Sequence, residues 1–137
     1  MSTRFRVLVA ALAVAWMGAP LAAHHSFAVE YDVKKPVAFS GVVTKVEWTN
    51  PHMRVYVDAT DAAGVVTNWN LELGSPNSIV RKGWGKDDLK VGDKVNIKAY
   101  GGREILTRAC MDTITLADGR ALFVSAAPGT PGAPSAP

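Results

Sequence analysis

A single cysteine, Cys110, occurs in the chain, so no intrachain disulfide can staple the fold. In an oxidising compartment a lone thiol is buried, paired with another chain, or reactive, and burial is the expectation here. Long apolar runs are also missing. The longest, Val7 to Met17, has 11 residues, well short of the roughly 20 that span a bilayer. A strong charge of either sign is missing as well. The 15 basic residues include Arg4 and Arg6, and without those two the balance is 13 against 12 acidic, a net of +1. The electrostatic footprint of a nucleic-acid binder is therefore absent. Catalytic motifs are equally scarce. No serine sits in a nucleophile elbow, no histidine neighbours Cys110, and Asp87-Asp88 reads as a solvated turn. The expectation is a binding protein and not an enzyme.

What is present begins with a leader. Arg4 and Arg6 make a short positive start, Val7 to Met17 an apolar centre, and Gly18-Ala19-Pro20 with Ala22 and Ala23 a small-residue cleavage region. That order is a secretory signal peptide over residues 1–23. The alternative is an uncleaved anchor. Cleavage places the protein in the periplasm, with no stable membrane insertion afterwards. The remaining 114 of the 137 residues suffice for one domain. Residues 24–35 read as an N-terminal arm, 36–125 as the folded domain, and 126–137 (AAPGTPGAPSAP) as a disordered tail too poor in apolar surface to pack.

Between 36 and 125 the pattern is β. Val37 to Trp48 is rich in β-branched and aromatic residues, and Gly41 within it marks a bulge or bend. Asn50-Pro51 ends that strand. Met53, Val55 and Val57 alternate with Arg54, Tyr56 and Asp58, the signature of a half-buried strand. A loop at 61–64 leads to a third strand, with Val65, Trp69, Leu71 and Leu73 facing in and Asn68, Asn70 and Glu72 facing out. Ser75-Pro76 reads as a helix cap followed by proline at the first helical position, with Ile79 and Val80 packing down and Gly83 as the stop. Val95, Ile97 and Ala99 share a face of the fourth strand. Gly101-Gly102 turns the chain, Ile105 to Leu116 is the last long strand, and Ala121 to Val124 closes after the Asp118-Gly119 turn. The expected fold is all-β with one short helix: a small OB-like antiparallel barrel of five to six strands, the helix falling after strand three.

The three histidines carry the functional expectation. Cleavage after Ala23 exposes His24, whose terminal amine and Nδ1 can close a chelate ring on one metal, with His25 adding a nitrogen. Cleavage after Ala22 instead gives Ala23-His24-His25, a terminus able to wrap Cu(II). Nitrogen donors suit copper, nickel or zinc, and copper binds most tightly of the divalent series. The plain alternative is a polar start with no metal. His52 follows Pro51, which fixes it at a strand start, and by alternation it shares a face with Arg54 and Tyr56. The expected metal ligands are His24, His25 and His52, holding Cu(II). The alternative is an interaction module without metal, in which Arg54, Tyr56 and Glu72, with Trp48 and Asn50 at the rim, bind a small molecule or an envelope protein. Met53 is expected in the core. Cys110 and Met111, adjacent on a strand, point to opposite faces and make a poor metal pair.

His24-His25-Ser26-Phe27 and Trp48-Thr49-Asn50-Pro51-His52 resemble a bacterial family, a domain of unknown function, of small exported proteins with a His-His-Ser segment and an Asn-Pro-His motif. The resemblance covers about residues 24–124. It implies export and a small β-domain, and supplies no activity.

Overall fold

The structure, a computed structural model, describes residues 27–124. The segment read as a leader, His24, His25 and the segment read as a tail lie outside the described residues. Phe27–Glu30 forms one helical turn, α1, and six strands follow: β1 (Tyr31–Glu47), β2 (Arg54–Thr60), β3 (Val66–Glu72), β4 (Lys94–Gly102), β5 (Arg108–Leu116) and β6 (Ala121–Phe123). A second helix, α2 (Pro76–Arg81), lies between β3 and β4.

All six strands belong to one sheet in the order β3-β2-β1-β4-β5-β6, and a further β3–β5 pairing closes β1-β2-β3-β5-β4 into a hydrogen-bonded ring. That closure differs from the antiparallel expectation. Residues 70–72 run parallel to 108–110, whereas the other five pairings are antiparallel. The long connection through α2 carries the chain across the ring, as a parallel pairing requires. β1 reaches both neighbours because it changes partner midway. Val42 pairs with Lys94 of β4 and Asp58 of β2, and the register shift falls between Val43 and Lys45.

The glycine expectation at Gly41 changes accordingly. The irregularity sits two residues later, and Gly41 serves close approach instead. A Cβ there would stand 2.5 Å from Asp58 O and 2.5 Å from a Val57 methyl. Gly101 and Gly102 also differ from expectation, being buried at the end of β4 and not in a turn. A Cβ on Gly102 would meet Ile105 O at 2.5 Å and Arg108 O at 2.9 Å, so its absence lets the β4–β5 connection fold back tightly. β5 consequently starts at Arg108, leaving Ile105 and Leu106 exposed in the connection. β1 starts earlier than the sequence pattern suggests, with Tyr31 opposite Gly102.

The alternating residues pack as their pattern demands. Val43, Met53, Val55, Val57, Leu71, Ile97, Met111 and Ile114 fill the inside of the ring. α2 contributes Ile79 from below, capped by Ser75, whose hydroxyl oxygen accepts from Ser78 N at 3.3 Å. Val80 does not pack down; it is exposed, because a two-turn helix turns only one narrow stripe inward. Val65 is exposed too, since it lies in the loop before β3, beyond the ring. Among the described residues no helix is long and apolar enough to cross a membrane.

Two core substitutions test this packing. Leu71→Ala empties a fully buried position and should cost about 2–5 kcal/mol in urea unfolding. Gly41→Ala should cost roughly 1–3 kcal/mol through overpacking, whereas a Gly41→Ala protein as stable as the original would contradict the close β1–β2 approach.

Candidate functional site

The outer face of β2 and β3 is polar, and its residues touch in a continuous chain. Tyr56 Oη donates to Glu47 Oε2 at 3.4 Å and lies 3.5 Å from Asn70 Nδ2, which donates to it. Asn70 Oδ1 accepts from Arg54 Nη1 at 3.0 Å, and the other terminal nitrogen of Arg54 donates to Glu72 Oε2 at 2.8 Å. Strand register makes these contacts, because Tyr56 is opposite Asn70 and Arg54 opposite Glu72. The β2–β3 ladder continues past its last paired residues: Met53 N donates to Gly74 O at 3.0 Å and Leu73 N to Met53 O at 2.9 Å. This extension holds His52 beside Glu72, after an Asn50–Pro51 peptide that is cis. His52 Nδ1 stands 2.7 Å from Glu72 Oε1, a distance that places a proton on Nδ1.

Glu72 is the centre of the cluster. Oε2 accepts not only from Arg54 but also from Tyr31 Oη at 2.7 Å and Arg108 Nη2 at 3.2 Å. Tyr31 comes from the start of β1 and Arg108 from the start of β5, where residues 70–72 meet 108–110. Arg108 Nη2 also pairs with Glu30 Oε2 at 3.4 Å. The helical turn carrying Glu30 is itself tied down, since Arg103 Nε donates to Ala28 O at 2.8 Å and Arg103 N to Glu30 O at 2.9 Å. Phe27 packs on Tyr31 with ring centroids 5.6 Å apart.

These elements enclose a cavity of about 520 Å³, with His52, Arg54, Glu72, Arg108, Tyr31 and Cys110 among its polar walls and Phe27, Leu73, Met111 and Val124 among its apolar ones. Its size falls in the range of small-molecule sites. Burial alone would raise the Glu72 carboxyl. The Tyr31 hydrogen bond and the neighbouring Arg54, His52 and Arg108 groups outweigh it and hold the group below the usual carboxylate range. Burial, then the bond to Glu72, pushes the Tyr31 phenol well above the usual tyrosine range. Burial and the nearby Glu72 and Asp112 carboxylates push the Cys110 thiol up to about 12. The thiol is thus a poor nucleophile and metal ligand at neutral pH.

Of the expected site residues, His52, Arg54 and Glu72 line the cavity, and Tyr56 joins them through Asn70. Trp48 is half-buried and packs on the hydrophobic core, and Asn50 is exposed. Met53 lies in the core as expected. Cys110 and Met111 both contribute to the cavity wall, although adjacent strand residues point to opposite faces. Among the described residues no three His, Cys, Asp or Glu side chains form a group fit to hold a metal. Sequence reading misses Tyr31, Arg108, Glu30 and Phe27 as site residues. Tyr31 and Phe27 lie in the segment read as an arm, and Arg108 carries only the faint signal of a charged residue heading an apolar strand.

Two measurements check this electrostatic picture. A thiolate-selective reagent at pH 8 should modify native Cys110 far more slowly than the urea-unfolded chain. Glu72→Gln should destabilise the fold by roughly 1.5–3 kcal/mol at pH 7, because charged donors lose their acceptor. Since folding lowers the Glu72 pKa, its contribution is present above the ordinary carboxylate range and is lost as pH falls through the folded value. The gap between the two proteins should therefore shrink toward pH 3, and a gap independent of pH would contradict the assignment.

No curated protein and no solved structure matches the chain. The sequence model of one family, described as a family of unknown function (DUF6152), matches residues 11–129, which takes in the helical turn bearing Phe27, every strand of the ring and all the residues that line the His52 cavity. The chain belongs to that family of unknown function.

Proposed function

We propose that the protein is an exported, non-enzymatic binding protein that works in the periplasm and holds a transition metal, copper favoured, through His24, His25 and Nε2 of His52. The observation that carries this reading is the 2.7 Å contact between His52 Nδ1 and Glu72 Oε1. A histidine that gives its Nδ1 proton to a carboxylate presents a lone pair at Nε2 in a fixed ring orientation, the arrangement that supports histidine ligands in metal sites. The imidazole is half exposed, with 52% of its side-chain surface accessible. A second support is covalent. Phe27 lines the same cavity, and His25 is two residues before it, within about 7 Å of extended chain. That chain length allows the N-terminal pair to reach the third histidine. The order of charged, apolar and small residues over 1–23 supports export.

A second reading drops the metal. The continuous network from Glu47 through Tyr56, Asn70 and Arg54 to Glu72 then serves a ligand- or protein-interaction module. Its partner is a small molecule or an envelope protein.

Intact mass spectrometry of the untagged exported protein should give a terminus at His24 or Ala23 and one retained copper under native conditions. In competition with a chelator, His24→Ala with His25→Ala should abolish tight binding. Glu72→Gln, which removes no ligand, should weaken it about 10–100-fold. Unchanged copper affinity in the double alanine variant would sink the metal reading, and His52→Ala would then be assayed against candidate partners.

A further inference from the structure

The cavity beside His52 has more donors than acceptors. Three donors from Tyr31, Arg54 and Arg108 crowd onto one oxygen of Glu72, and His52 occupies the other. A carboxylate oxygen offers about two lone-pair sites, so Oε2 is oversubscribed. Arg108 still has unused hydrogen-bonding capacity. Among the described residues its Nη2 is shared between Glu72 and Glu30, and Nε is buried with no partner. A buried donor without a partner costs free energy comparable to a lost hydrogen bond, more when the donor is charged. The lining also includes the apolar side chains of Phe27, Leu73 and Met111.

We infer that this cavity binds a small organic carboxylate, its two oxygens taken by the guanidinium groups of Arg108 and Arg54 and its apolar body lying against Phe27, Leu73 and Met111. An ionised, planar acceptor is the partner a guanidinium fork matches best. A chain or ring of a few carbons fits the apolar wall and the 520 Å³ available. The inference rests on the His52 cavity being a binding site and does not require the metal.

The probes are 3-phenylpropionate and its neutral amide, titrated separately into the full exported chain after dialysis against EDTA, with binding followed by amide NMR shifts. The carboxylate should give saturable shifts at Leu73, Cys110 and Met111, and the amide should bind about tenfold more weakly or worse. Arg108→Gln should lose the carboxylate by a similar factor and leave the weak amide binding as it was. The comparison of the two probes on the unmutated protein needs no variant, so it stands even if Arg108→Gln does not fold. Equal affinity for acid and amide, or shifts confined to residues remote from the cavity, would overturn the inference. Carboxylate binding without copper binding supports the cavity and removes the metal. Copper binding without carboxylate binding removes this inference and leaves the metal reading in place. Binding of neither removes both.

Discussion

The carboxylate of Glu72 is where the fold and the site are joined. Its two oxygens accept from Tyr31, His52, Arg54 and Arg108, residues drawn from the start of β1, the approach to β2, β2 itself and the start of β5. Removing it would leave two guanidinium groups facing each other and a phenol and an imidazole without their acceptor. Charged hydrogen bonds of this kind are stronger than neutral ones. They also fix direction, because each donor must point at the same small target. The cluster therefore holds the N-terminal turn, the β2–β3 hairpin and β5 in one arrangement around the cavity.

That convergence depends on how the ring closes. β3 and β5 share only the pairs 70–72 with 108–110, and Glu72 lies opposite Cys110 within this short parallel stretch. Gly102 makes the stretch possible by letting the β4–β5 connection return against Ile105 and Arg108 carbonyls that a side chain would strike. Gly41 does the corresponding service on the other side, where β1 leaves β4 and joins β2. In both places the side chain is absent because another backbone comes too close, and no unusual dihedral is required.

In the proposed reading the chemistry of the site is recognition. His52 is oriented by a carboxylate, the arginines hold fixed donor geometry, and the thiol of Cys110 is kept protonated by burial and neighbouring carboxylates. Nothing in this set pairs a nucleophile with a base. The proposed metal at His52 and the proposed organic anion make compatible demands, since one uses the imidazole and the other the guanidinium groups.

Much of this was legible in the chain. Period-two alternation gave the inward sets Met53, Val55, Val57 and Val95, Ile97, Ala99, because a strand half in water must alternate. Ser75-Pro76 gave the helix start, because capping and the fixed proline φ act locally. The outward placement of Arg54, Tyr56 and Glu72 followed from the same alternation, and His52 was flagged by its position after Pro51. Only the tertiary structure decided which outward residues meet. Tyr31, Glu30 and Arg108 are separated from Glu72 by 36 or more residues of sequence, and no local periodicity encodes a contact at that range. It also decided that Gly101 and Gly102 end a strand and do not form a turn, because that depends on carbonyls arriving from the following loop. The sequence by itself determined which residues of β2 and β4 face water, since period-two alternation across a half-buried strand is a local property. Tertiary packing decided which side chains share one carboxylate, since that requires strands far apart in the chain to close a ring.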